Sequence, residues 1–438
     1  MSNGPPPLLL TADWVLPVTA PPIRDGAVLV VGERIRAVGP RRTIETPPNT
    51  VHRHYDGAAM LPGLVNLHTH LEYTNFGPLP ERQSFREWMP ALIRRSQQTP
   101  ADFWPASANA GAERLVAAGT TCVGDIVTFG PGLAAAQTHN LAGISYVEAV
   151  GMRVRARLDE QLAELTARLD RSVRPAAGAR RLRVGLGPHT IYTLSTVALE
   201  RLGDLAQARK LPLTIHLAET VEEVEFSHSG RGSLAEGLAT KGGHDLIEKG
   251  GCGVGPALLA DRCGLFEGLS SRRPAVVAHG VHLDEEEIAR LAARGVAVAL
   301  CPRSNAMLGT GEAPIQRLVE QGVRLGLGTD SLASNESLDL FAEAAAAYAL
   351  WQRQAGAAFD PRAAARRILR WLTIEGAQAL GLERKLGSIT VGKYADLAVV
   401  ALPHPGDTDI AKQLCTGVRA TAVRCTVVAG ATTHSAAP

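Results

Sequence analysis

The sequence predicts an α/β protein: a (β/α)8 TIM barrel joined to a small β-sandwich domain built by both chain ends. Three observations carry that expectation. Eight short apolar runs alternate with segments of helical period between Met60 and Ser331, the flanks read as strands, and histidines and an aspartate fall at the ends of the apolar runs. At 438 residues the chain exceeds one average domain of about 150 residues, but α/β barrels commonly run past about 250 residues as one unit. A barrel at 59–379 and a β domain at 1–58 and 380–438 are therefore expected.

The eight runs are Leu61–His70, Thr120–Val127, Gly143–Val150, Arg183–His189, Pro212–Glu219, Ala275–Gly280, Val296–Asn305 and Arg324–Ser331. Between them, Asp159–Arg174, Ser195–Lys210, Asp284–Arg294 and Asn335–Gln354 carry Leu, Ala and Ile at helical spacing, several opening on Ser, Asp or Asn caps. Strand and helix in steady alternation mean parallel strands with helices outside. A doubly wound open sheet usually carries a Gly-rich turn after its first strand, and here His-Thr-His takes that place. In the flanks, Asp25–Val38 reads as a hairpin, and Gly387–Val400 and Ala422–Gly430 alternate like strands. The Gly-rich stretch Gly242–Gly268 reads as an insertion between the fifth and sixth strands.

Composition excludes several classes. Apolar residues make up 45% of the chain and charged residues 20%, the balance of a globular protein with material for a large core. The 45 basic and 43 acidic residues are interspersed, so nothing argues for nucleic acid. No apolar stretch reaches membrane-spanning length, and a cytoplasmic protein is expected. The six cysteines are widely spaced, which fits reduced, buried thiols.

The chemistry starts at His68-Thr69-His70. Side chains two apart on a strand share a face, so both imidazoles can reach one metal ion at the barrel mouth. A His-x-His pair alone is a weak signal. It gains force from His216 at the end of the fifth run, His279 at the end of the sixth and Asp330 at the end of the eighth, all on the face where barrel enzymes keep their sites. Three imidazoles and a carboxylate, His68, His70, His216 and Asp330, suit one divalent ion, Zn2+ first and Fe2+ second. Such an ion lowers the pKa of water to about 7, so hydrolysis is the reaction class. Glu219, three residues after His216, is placed to shuttle a proton, and His279 and Asp330 to orient and deprotonate the water. The fourth run, RVGLGPH, holds no Lys that could bridge a second ion.

The ordered motifs PGLVNLHTH, GPHTIYTLS, HLAE, AHG, CPRSN and LGTDS, with the final GSITVGKYADLAVV, resemble the deaminase and chlorohydrolase branch of the amidohydrolase superfamily over nearly the whole chain. The resemblance implies deamination of an aminated ring: hydroxide adds to the carbon bearing the amino group, Glu219 protonates a ring nitrogen, and ammonia leaves. It implies substrate contacts at His189 and, more loosely, at Arg303, Asn305 and Ser331, and it implies a homodimer acting on a small molecule. Glu72 and Trp88, on the loop after the first strand, could meet a sugar or side arm or could simply pack the loop. The wording HTHLE, FREWMPALI, HLAETVEEVEF and CPRSN is similar to the members that deaminate 6-amino-6-deoxyfutalosine on the way to menaquinone. Departures at Tyr73–Leu79 and Gly242–Gly268, near the expected mouth, bear on substrate choice.

Other readings stay open. The same metal site could serve an adenosine, S-adenosylhomocysteine, methylthioadenosine or guanine deaminase, or a triazine hydrolase. A non-catalytic barrel would have no need of the full ligand set, and cyclic-amide hydrolases commonly use two metals and a bridging Lys. The zinc deaminases of flipped bases are excluded because their His-x-Glu and Pro-Cys-x-x-Cys signature is absent.

Overall fold

A computed structural model describes residues 5–77, 84–173, 181–240 and 242–435. Eight parallel strands stand in sequence order around one barrel: Leu64–Thr69, Thr120–Val127, Ala142–Ala149, Leu182–Pro188, Leu213–Leu217, Ala275–His279, Ala297–Leu300 and Arg324–Leu327. The ring closes between last and first strands, where the Asp330 N–H donates to the His68 carbonyl at 3.0 Å and the Asn66 amide donates to Thr329 Oγ1 at 2.7 Å. Val65, Leu67, Ile144, Tyr146, Val276, Ala297 and Ala299 fill the interior. Tyr146 takes the largest share, and it fits because the adjacent strand offers Gly185, where a Cβ would stand 2.5 Å from the Tyr146 ring.

Some boundaries differ from those the sequence suggests. The first run divides at Gly63: residues up to Pro62 pair in the other sheet, and the barrel strand starts at Leu64. The seventh stops at Leu300, because Pro302 takes the first position of a short helix, Pro302–Leu308, that carries Arg303 and Asn305. The helix expected from Asn335 starts at Leu340, where Asp339 accepts the N–H groups of Phe341 and Ala342. Helix Leu158–Val173, helix Thr196–Arg209 and helix Glu285–Arg294 lie where the periodicity puts them. The stretch after the fifth strand forms short helices, among them Asp245–Lys249 and Pro256–Arg262.

Both chain ends join in a mixed seven-stranded sheet, in which Val51–Pro62 lies between Leu8–Val15 and Leu397–Ala401. The sheet curls until its far strand returns to the chain ahead of Leu397, with Ile35 N–H on the Lys393 carbonyl at 3.0 Å. The sandwich is thus one sheet folded over a core of Leu10, Val28, Met60, Leu397, Val399 and Val427. Arg181, at the start of the fourth barrel strand, makes a buried ion pair with Asp396 of this sheet and ties the two bodies together. Among the described residues no helix is long and apolar enough to cross a membrane.

Candidate active site

The C-terminal strand ends gather His68, His70, His216, His279, Glu219 and Asp330 into one cluster, buried except for the partly exposed His70. Local backbone accidents aim these side chains. Val65 and Leu67 already face the barrel interior, so plain alternation would turn His68 away. A register shift against the second strand inserts one extra residue between Asn66 and Thr69, and this bulge brings both imidazoles to the mouth. On the sixth strand Val277 faces the helices, which would send His279 the same way. His279 instead adopts φ 69°, and Ala218 and Asp330 are also left-handed at 51° and 56°. Such residues cost about 1–3 kcal/mol each and persist where surrounding contacts hold them.

Hydrogen bonds fix which atoms point inward. His216 Nδ1 donates to the His189 carbonyl at 3.1 Å, leaving the Nε2 lone pair free. His279 Nδ1 donates to Asn305 Oδ1 at 2.9 Å, and its Nε2 lies 3.7 Å from Glu219 Oε1. Asp330 Oδ2 accepts the hydroxyls of Ser304 at 2.7 Å and Ser334 at 2.6 Å. Its Oδ1 is left 3.4 Å from Nε2 of both His68 and His70.

These groups fit a divalent metal ion. Both ring nitrogens of His68 and Nδ1 of His70 are buried without a hydrogen-bond partner among the described residues. Each such atom costs about 1–3 kcal/mol in a dry interior, which a cation at the cluster would offset. His68, His70 and His216 offer ligand atoms within 4.8 Å of one another, as do His68, His279 and Asp330. Burial holds the imidazoles of His68, His70 and His216 below the ordinary histidine value, His70 at about 3, so they stand neutral, the ligating form. Burial alone would raise Asp330, but His68 and His70 outweigh it and hold the carboxyl well down. Glu219 behaves oppositely: burial pushes it up to about 7, against the pull of His279.

Gly328 explains the glycine in LGTDS. A Cβ there would stand 2.8 Å from His68 Cβ and 2.9 Å from its carbonyl oxygen. Gly328→Ala should cost about 1–3 kcal/mol of stability by overpacking and loosen metal retention through His68. Urea unfolding and metal analysis would check it, and unchanged values for both would show that the strand end yields without disturbing the histidine.

The remaining expected contacts divide. His189 stands inward, its ring 5.1 Å from that of His216 and its Nδ1 3.1 Å from Thr193 Oγ1. Asn305 reaches the cluster through His279, and Ser331 through Ser334, at 3.0 Å. Arg303 is turned aside, bonding Ser337 at 2.8 Å and Glu336 at 3.2 Å. Trp88 is packed with Phe76, Trp104, Leu308 and Ala333 and donates its indole N–H to the Ala333 carbonyl.

Glu72 is committed elsewhere as well: its carboxylate accepts the N–H groups of Thr128, Phe129, Gly130 and Gly132 at 2.7–3.0 Å. It shapes the turn after the second strand from within, so Glu72→Ala would leave four donors unpaired, that of Gly132 buried and those of Phe129 and Gly130 on exposed residues. At about 1 kcal/mol or more for each donor that water cannot reach, the unfolding free energy should fall by about 1–2 kcal/mol. Urea titration measures this, and a loss under 1 kcal/mol would show water replacing the carboxylate. The sequence reading missed Ser304, Ser334 and Glu148, the last of which a period-two reading of Ile144, Tyr146 and Glu148 would have found.

A sequence profile described as the amidohydrolase family matches residues 59–432. The 5-methylthioadenosine/S-adenosylhomocysteine deaminase of Syntrophobacter fumaroxidans is 32% identical over 397 residues, covering 87% of this chain and 81% of its own length. The aminodeoxyfutalosine deaminase of Deinococcus radiodurans is 34% identical over 374 residues, covering 83% and 84%. In solved structures, an adenosine deaminase from Xanthomonas campestris with bound zinc superposes with a TM-score of 0.80 at 29% identity, over 98% of this chain and 93% of that one. With the barrel, the histidine and aspartate cluster and these likenesses together, the chain belongs to the amidohydrolase family, as a hydrolase acting on carbon–nitrogen bonds.

Proposed function

We propose that this protein is a hydrolytic deaminase of a 6-aminopurine nucleoside. His68, His70, His216 and Asp330 would hold one divalent metal ion, Zn2+ first and Fe2+ second. When bound, the ion supplies a water acidic enough to react at neutral pH. The observation that carries the reading is Glu219, a carboxyl at about 7 standing 3.7 Å from His279 Nε2 beside the cluster. A group with that value both gives and takes a proton near neutrality. His279 and Asp330 orient the water and take its proton as its oxygen adds to C6. Glu219 gives its proton to the ring nitrogen N1, and the proton taken from the water passes to the amino group; as C6–N breaks and ammonia leaves, the added hydroxyl returns its remaining proton to Glu219 and becomes the ring carbonyl. His189 meets the substrate on the neighbouring strand.

Among such nucleosides we place 6-amino-6-deoxyfutalosine first, which would put the reaction in menaquinone synthesis; the likeness to the Deinococcus enzyme supports it. The second reading is methylthioadenosine or S-adenosylhomocysteine, supported by several relatives of that name at about the same identity. Ammonia release from adenosine, methylthioadenosine, S-adenosylhomocysteine and aminodeoxyfutalosine, with metal content on the same preparation, tests both. A dominant rate on one nucleoside selects it. Turnover confined to guanine or a triazine, with one metal bound, would sink the proposal.

A further inference from the structure

Beside the cluster lies a carboxylate that the chemistry above does not use. Glu148 ends the third strand after Ile144 and Tyr146, which face the barrel interior, and it is only 5% exposed. Its Oε2 accepts the Thr128 hydroxyl at 2.7 Å. Arg168 steadies the backbone around it, donating to the carbonyls of Glu148 at 3.1 Å and Thr128 at 2.9 Å. A carboxylate accepts up to about four hydrogen bonds, and burying one with capacity left over is unfavourable unless further donors arrive.

A second metal ion is the obvious candidate, because Glu148, His189 and His216 offer ligand atoms within 4.8 Å of one another. The proton count rules against it. His216 donates Nδ1–H to the His189 carbonyl and keeps one lone pair, on Nε2, which serves the group with His68 and His70. Among the described residues Glu148 and His189 remain, one ligand short of the three protein ligands of a catalytic site.

Substrate hydroxyls would supply such donors. Glu219 and His189 follow the fifth and fourth strands and Glu148 lies near the end of the third, and these strands are neighbours in the barrel. A 6-aminopurine with C6 at the metal cluster and N1 at Glu219 presents along the same edge N3 and then the sugar on N9, whose 2′-hydroxyl lies on the N3 side. We infer that Glu148 determines specificity for the sugar, its carboxylate accepting hydrogen bonds from the vicinal 2′- and 3′-hydroxyls of a ribonucleoside. The inference rests on the deaminase reading and deepens it. It holds for every nucleoside named there, since all carry the diol.

The test compares kcat/KM for adenosine, 2′-deoxyadenosine and 3′-deoxyadenosine in the metal-loaded wild type, Glu148→Gln and Glu148→Asp. The wild type should prefer adenosine by about tenfold or more, the worth of a hydrogen bond to a charged acceptor. Both variants should narrow that preference, with the largest rise in KM for adenosine, a smaller rise for each deoxynucleoside, which keeps one of the two hydroxyls, and metal content unchanged. A purely structural role would lower all three rates together and leave their ratio intact, which overturns the inference. So does a wild type indifferent to the hydroxyls, a result that needs no variant to fold. A wild type that deaminates no nucleoside at all would instead bring down the deaminase reading, and this inference with it.

Discussion

Glu219→Gln is expected to keep its metal ion and lose about 10²–10⁴-fold in turnover, the usual worth of a positioned general acid–base group. The substitution is nearly isosteric and removes only the ability to carry a proton. The Glu219 backbone N–H is held by the Glu223 carboxylate at 3.0 Å, so the strand end should keep its shape. The imidazoles and Asp330 proposed to hold the metal are untouched. Single-turnover rates and metal analysis on one preparation read both quantities. The variant should also lose any pH dependence centred near 7, where burial places this carboxyl. Turnover at the wild-type rate would refute the proton-shuttle role.

His68→Ala should abolish both metal retention and turnover, with a third quantity showing why. Truncating a large, well-packed buried side chain to Ala typically costs about 2–5 kcal/mol. His68 is fully buried, but both of its ring nitrogens lack a hydrogen-bond partner among the described residues. Removing it relieves about 1–3 kcal/mol per unpaired group, which offsets the lost packing. In the presence of chelator, wild type and variant should therefore unfold at similar urea concentrations. With metal added only the wild type should gain stability, because only it binds the ion when folded. A variant that holds one equivalent of metal and turns over normally would remove His68 from the ligand set.

The eight strands were legible because each is an apolar run closed by polar or glycine residues, and the cluster because its members stand at the ends of those runs. What could not be read is how the side chains are aimed. His68 owes its direction to an extra residue in the first strand, and His279 to a left-handed φ that no alternation pattern reports. Glu72 shows a second blind spot. Its neighbours along the chain suggest a loop facing substrate, whereas its partners are N–H groups about sixty residues later, at Thr128–Gly132. Arg303 likewise stands in CPRSN beside the site, and the helix that Pro302 starts carries its guanidinium toward Ser337 and Glu336. Long-range hydrogen bonds decide these cases.

The sheet shared by both chain ends has a consequence for how the protein comes to be folded. Its central strand, Val51–Pro62, leaves the ribosome early, yet one of its two edges has no partner until Leu397–Ala401 is made. That pairing spans more than three hundred residues, and contacts of such separation form slowly because a long loop must close first. Until then Ala58, Met60 and Leu61, buried in the finished protein, border an open edge that could pair with another nascent chain. Completing the sheet is thus a late step of biosynthesis, and chains stalled before Leu397 are the ones expected to need a chaperone.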